Sequence, residues 1–156
     1  KEVEPLLKEL SGEFEEKRKE MLHLMHKDME AYQGVMKAYR LPKSQPEEKK
    51  QRSLAIQEAL KGAMDVPLRL ARCSLNLLED VNRMADKVNP NLAGDVAVAA
   101  ILAEAALKGA KVNVEVNLSS LKDDGLVKKT RAEISETSER AQSLLKEVMQ
   151  KVKAHN

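Results

Sequence analysis

The chain has 156 residues, enough for one domain whose core needs no staples. It is 42% hydrophobic, 33% charged and only 2% aromatic, a balance dominated by Ala, Leu, Glu and Lys that points to helices. The 27 basic and 25 acidic residues are well mixed and leave a net charge of +2, which argues against a nucleic-acid footprint, since that needs a basic stripe and, for single strands, usually aromatic platforms as well.

The first predicted segment runs from about Glu2 to Tyr39; the chain opens "KEVEPLLKEL", and no secretory leader is expected. Val3, Leu6, Leu7, Leu10 and Phe14 lead into Met21, Met25, Asp28, Tyr32, Val35 and Tyr39. The latter are spaced four, three, four, three and four, the core-facing line of an amphipathic helix. Gly12 weakens the helix locally and Pro42 stops it. Asp28 is the odd residue on that line. A carboxylate held among apolar neighbours loses hydration, its pKa rises, and it can carry a proton near neutral pH as a general acid must. The other reading is a structural ion pair with Lys27, Arg18 or a partner helix, and spacing leaves both open. His23, His26 and Glu30 lie near one helical face, but no second ligand cluster accompanies them and no metal is expected.

"SQPE" restarts the chain, with Ser44 as N-cap, Glu47 completing a capping box and Pro46 in the first turn. The second segment extends from about Gln45 to Lys87 and carries Leu54, Ala59, Leu60, Ala63, Leu70, Leu77, Leu78 and Val81. Pro67 inside it is expected to kink or break it. Cys73 has no second cysteine to pair with and reads as a small core residue in a reducing compartment. "KVNPNLAGD" is the clearest turn: Asn89 and Asn91 flank Pro90, and Asp95 opens the next helix, roles that turns and caps can explain.

The third segment, about Leu92 to Leu118, is apolar nearly all round, as expected of the buried centre of a bundle. Its last residues, "VNVEVNL", alternate like a strand, but no second strand exists to pair with them, so helix is expected. Asn113 and Asn117 lie one turn apart on it and imply either a polar ligand or interhelical hydrogen bonds. "KDDG" precedes the fourth segment, whose seam is Thr130, Ile134, Thr137, Ala141, Leu144, Val148 and Val152. The expected architecture is all-α, a single domain over 1–156, built as a bundle of long antiparallel helices around one nearly fully buried central helix, the third. No segment has a membrane-spanning apolar length, and a soluble cytoplasmic protein is expected.

The order "DMEAYQGVMKAYRLPK", "PEEKKQR", "AMDVPLRLA", "NPNLAGD" and "KVNVEVNL" resembles the cyclodeaminase domain of the formimidoyltransferase-cyclodeaminase family, which includes stand-alone bacterial cyclodeaminases and methenyltetrahydrofolate cyclohydrolases. The likeness runs from about Leu10 to the C-terminus. It implies folate one-carbon chemistry: 5-formimidoyltetrahydrofolate closes to 5,10-methenyltetrahydrofolate and releases ammonia. The cyclohydrolase reaction of the same family is the alternative, and a non-catalytic dimerising helical bundle is the reading from another class. The resemblance further implies a tetrahydrofolate derivative as substrate with no metal, a homodimer, and a formimidoyltransferase partner. The first residue of the family's Asp-x-Glu-Ala-aromatic motif is its catalytic carboxylate, here Asp28. Asn89, Asn91, Asp95, Asn113 and Asn117 match polar family positions that orient substrate, and Arg40 suits a carboxylate of a glutamate tail. Val88 stands where the family usually has Gly, Gly94 where it more often has Ser, and Asp65 before Val66-Pro67 is a further variation. The family's Pro-Gly-Gly-Gly-Ser stretch has no counterpart in these residues.

Overall fold

A computed structural model of the chain describes residues 4–154; Glu2 and Val3, placed in the first helix above, lie outside them. It consists of α1 (Glu4–Tyr39), α2 (Pro46–Met84), a 3₁₀ turn (Pro90–Leu92), α3 (Ala93–Leu118) and α4 (Asp124–Lys153). No strand occurs among the described residues, and "VNVEVNL" is the last part of α3 as its lack of a pairing strand requires. No helix of the described residues is long and apolar enough to cross a membrane.

Local chemistry sets the helix ends. Pro46 occupies the first helical position of α2, where a missing N–H costs nothing, so Gln45 becomes the N-cap. Glu48 reaches back to accept from the N–H groups of Ser44 (2.8 Å) and Gln45 (3.0 Å). The capping box therefore sits at Gln45–Glu48, one residue beyond the expected Ser44–Glu47. Asp123 caps α4 by accepting from Leu126 N–H at 3.0 Å. Arg52 covers the end of α1, donating twice to the Tyr39 carbonyl (3.2 and 3.0 Å) with its guanidinium over the Tyr39 ring.

The helices run up, down, up, down. Arg83 meets Glu9, Arg69 meets Glu20 and Arg52 meets Tyr39, so α1 is antiparallel to α2. Gln57 grips the far end of α3, donating to Ser120 O (3.1 Å) and accepting from Lys122 N (2.8 Å). The pairs Arg72–Glu133 and Asn82–Glu147 show α4 parallel to α2. The expected seam of α4 is buried at every position, Thr130 through Val152. Ala71, Ala100 and Ala141, one from each of α2, α3 and α4, are fully buried, and side chains this small let the helix axes approach closely. Cutting Leu78 or Leu144 to Ala in this core costs about 2–5 kcal/mol.

The central helix is α2, not α3. It alone packs against the other three, whereas α1 lies on α2 without substantial contact with α3 or α4. One side of α3 is consequently uncovered: Val98, Ile101, Leu102, Val112 and Val116 are 47–64% exposed. The all-round apolarity of α3 thus marks an open face as well as a core face. Leu54, expected in the α2 seam, is exposed as well.

Attachment of α1 is partly ionic. Only Leu10, Leu24 and Ala38 of its 36 residues are buried. Lys17 Nζ stands 2.6 Å from the buried Asp80 carboxylate, and Arg83 binds Glu9 (2.7 Å), Glu13 (3.2 Å) and Asp80 (3.3 Å). Cys73 is buried beside the same helix, and burial pushes its thiol pKa up.

Candidate active site

Since α1 and α3 both lie against α2, they form the walls of a trough with α2 as its floor. At one end the trough deepens to a cleft of about 360 Å³ lined by Phe14 of α1, Leu77, Val81 and Met84 of α2, and Leu92, Asp95, Val96 and Ala99 of α3. Helical periodicity extends each lining stripe along the molecule. At about 100° per residue, Met21, Met25, Asp28 and Tyr32 fall within about 40° of Phe14. The half-buried Ala59, Val66, Leu70 and Leu77 share the direction of Met84. Asn113 stands about five whole turns from Asp95, with Leu102 and Ala106 between them and Asn117 just beyond.

The sequence line containing Asp28 is therefore the trough-facing side of α1, and it is not buried. Asp28 is exposed, as are Met25 (64%) and Tyr32 (64%). This overturns the expected burial of the carboxylate, because α2, the helix against which α1 packs, sits to one side of that line. Neither expected ion pair forms: Lys27 binds Glu30 (2.8 Å) and Arg18 binds Glu15 (2.7 Å). The Asp28 carboxylate makes no ion pair or hydrogen bond with another described residue. The Lys27 ammonium holds the Glu30 carboxyl below its ordinary pKa. Among the described residues no three His, Cys, Asp or Glu side chains, His23 and His26 included, are grouped to hold a metal ion.

The contacts of α1 and α3 with α2 set the height of each residue. Glu20 opposite Arg69 and Tyr39 opposite Arg52 place Asp28 beside the Gly62–Val66 turn of α2. Asn117 meets the same turn, its Nδ2 donating to Ala63 O at 3.2 Å and to Asn113 O at 3.0 Å. Asp28, Asn113 and Asn117 thus share one level, the carboxylate on one wall and the amides on the other. Arg40 is exposed just past α1 and lines a shallow depression with Tyr32, Gln33, Met36 and Lys37. Asn89, Asn91 and Asp95 stand elsewhere. Asn89 Oδ1 accepts from Asn91 N–H (3.0 Å) to cap the 3₁₀ turn, and Asp95 borders the cleft at the Phe14 end. Phe14 and Asp28 are about 21 Å apart along the axis of α1, so one chain does not bring these residues to the Asp28 level.

Sequence reasoning passed over the Ala63 carbonyl, left without a helical donor by Pro67, as the partner of Asn117, and Asp80 altogether. The signal for Asp80 was available: it adjoins the Leu77–Leu78–Val81 run with Arg83 three residues on.

The chain as a whole is similar to known proteins. The family model described as formiminotransferase-cyclodeaminase matches residues 1–136. The methenyltetrahydrofolate cyclohydrolase of Methylorubrum extorquens is 36% identical over 153 residues, covering 98% of this chain and 74% of that protein. The formimidoyltransferase-cyclodeaminase of Rattus norvegicus is 35% identical over 124 residues, 80% of this chain but only 23% of that protein. The crystal structure of formiminotetrahydrofolate cyclodeaminase from Thermotoga maritima superposes with a TM-score of 0.86 at 32% identity, covering 99% of this chain and 73% of that one.

Proposed function

Because this chain belongs to the formiminotransferase-cyclodeaminase family of folate one-carbon enzymes, we propose that it closes 5-formimidoyltetrahydrofolate to 5,10-methenyltetrahydrofolate and ammonia, with Asp28 moving the proton. The observation that carries this reading is a single carboxylate on a methionine- and tyrosine-lined wall, level with Asn113 and Asn117 across the trough. The apolar walls suit a flat heterocycle, which on binding would displace water from around the carboxylate.

The chemistry asks little else of the protein. The formimidoyl group on N5 reacts in its protonated, amidinium form; N10 attacks its carbon, the C=N electrons move to the exocyclic nitrogen, and a tetrahedral centre forms. As a carboxylate, Asp28 accepts the N10 proton; as the acid so formed, it delivers that proton to the exocyclic amine. The carbon–nitrogen bond then breaks, ammonia leaves, and the methenyl bridge retains the positive charge. Amide ion is too poor a leaving group to depart unprotonated, so a positioned proton donor is needed. Asn113 orients the pteridine, and Arg40, near the Tyr32 end of the same wall, receives a carboxylate of the glutamate tail. A formimidoyltransferase, separate or attached, supplies the substrate, a reading supported by the similarity to the formimidoyltransferase-cyclodeaminase of Rattus norvegicus.

A second copy of the chain completes the site. The exposed stripe from Val98 to Val116 has its midpoint at the level of the exposed Ala105 and Gly109 and borders the trough wall. A two-fold axis there, pairing the α3 helices antiparallel, would carry Asn91 and Asp95 of the second copy toward Asn113 and Asn117 of the first. The distance between the ends of the trough within one chain supports this arrangement.

The test supplies 5-formimidoyltetrahydrofolate and 5,10-methenyltetrahydrofolate separately and follows methenyl absorbance. Appearance from the first identifies the deaminase. Disappearance of the second alone identifies the cyclohydrolase, a reading favoured by the Methylorubrum extorquens match over 98% of the chain. Asp28→Asn lowers turnover at least ~10²-fold with helicity unchanged; full activity in that variant removes Asp28 from the mechanism.

A further inference from the structure

Pro67 lies in the interior of α2 and has no N–H, so the Ala63 carbonyl four residues earlier is denied its helical donor. Both residues are buried, and a buried carbonyl must be satisfied from elsewhere. The donor comes from another helix. Asn117 Nδ2 sits 3.2 Å from Ala63 O, and its second bond, at 3.0 Å to Asn113 O, holds the amide against the α3 backbone. The helix α2 continues through the proline for 17 further residues, to Met84.

We propose that Asn117 is a positioning residue: it fastens α3 to the proline gap of α2 and thereby sets the width of the trough at the level of Asp28. Both amide hydrogens are committed to main-chain carbonyls, which removes them from direct recognition of substrate. The catalytic consequence rests on the reading of the trough as the folate site; the structural lock does not. The role belongs to a primary amide. Asp at 117 would set a second acceptor against the Ala63 carbonyl, and Ala would leave that carbonyl unmet.

A double-mutant cycle between Pro67 and Asn117 tests the lock, with stability from chemical denaturation and kcat and KM measured on all four proteins. Asn117→Ala alone is expected to lower the folding equilibrium constant at least about fivefold and to reduce kcat. In the Pro67→Ala background the new N–H serves Ala63, so the same change is expected to cost less than about twofold in stability and to spare kcat. Equal losses in both backgrounds would overturn the proposal. Loss of kcat that Pro67→Ala fails to restore would assign Asn117 to substrate contact instead. Should Pro67→Ala not fold, Asn117→Asp decides: stability equal to that of the unaltered protein ends the idea. Failure of the unaltered protein to turn over either folate would refute the functional reading but leave the stability cycle intact.

Discussion

Asp28 and Asp123 have the same side chain and opposite circumstances. The carboxylate of Asp28 stands free on the wall of a trough, whereas Leu126 N–H donates to Asp123 at the start of α4 and holds its pKa below the ordinary value, with Lys61 as a lesser contributor. A lowered folded-state pKa means that the native state favours the ionised form. The stabilisation is therefore present above the ordinary aspartate value and is lost as pH falls through the lowered one. Asp123→Ala is expected to reduce the thermal midpoint at neutral pH by roughly 2–4 °C. The gap between the two proteins should narrow as pH falls below the ordinary aspartate value, because protonation removes the ionised cap. A gap that stays constant with pH would show that the cap does not act through its charge. Asp28 makes no comparable bond, which leaves its oxygens available to a substrate.

At the scale of the element, α1 is the weakest-held helix and the one that carries the proposed proton carrier. Its buried contacts are few, and one of its ties to α2 is the pair Lys17–Asp80, whose carboxylate is only 8% exposed. Removing one partner of a buried pair leaves the other uncompensated, so Asp80→Ala should cost about 3 kcal/mol by urea denaturation. Replacing both, as Lys17→Met with Asp80→Leu, should recover most of that loss. If the double variant is no more stable than the single one, the ion pair is not what holds this end of α1. The rim pairs of Arg83 with Glu9 and Glu13 are more exposed and weaken with added salt.

For the whole molecule, the open face of α3 is the largest departure from a self-contained bundle. Five large aliphatic side chains in one stripe are costly to leave in water and suit a second copy presenting the same stripe. Ile101→Asp is expected to give a monomer by analytical ultracentrifugation and to lose folate turnover while remaining helical. If the site is shared, mixing inactive Asp28→Asn with inactive Asp95→Asn and allowing subunits to exchange should restore about a quarter of full activity. Random pairing makes about half the dimers mixed, each with one intact site out of two. No recovery on exchange would place each site within a single chain.

Much of the element structure was legible in the order of residues, because periodicity and capping are local. The seam of α4 from Thr130 to Val152, the helical state of "VNVEVNL" and the stop before Pro42 all follow from spacing, propensity and missing donors. The capping box was misplaced by one residue since either Ser44 or Gln45 can precede Pro46, and only backbone geometry distinguishes them. The motif order identified the family by itself. Tertiary structure decided which helix lies at the centre, whether Asp28 is covered, and which polar residues share a level. A helical period specifies a direction around an axis but says nothing of what stands in that direction. That is why one seam read as core proved to be the open wall of a trough. It is also why Asn117 and Ala63, 54 residues apart, meet at a gap that Pro67 alone could only announce.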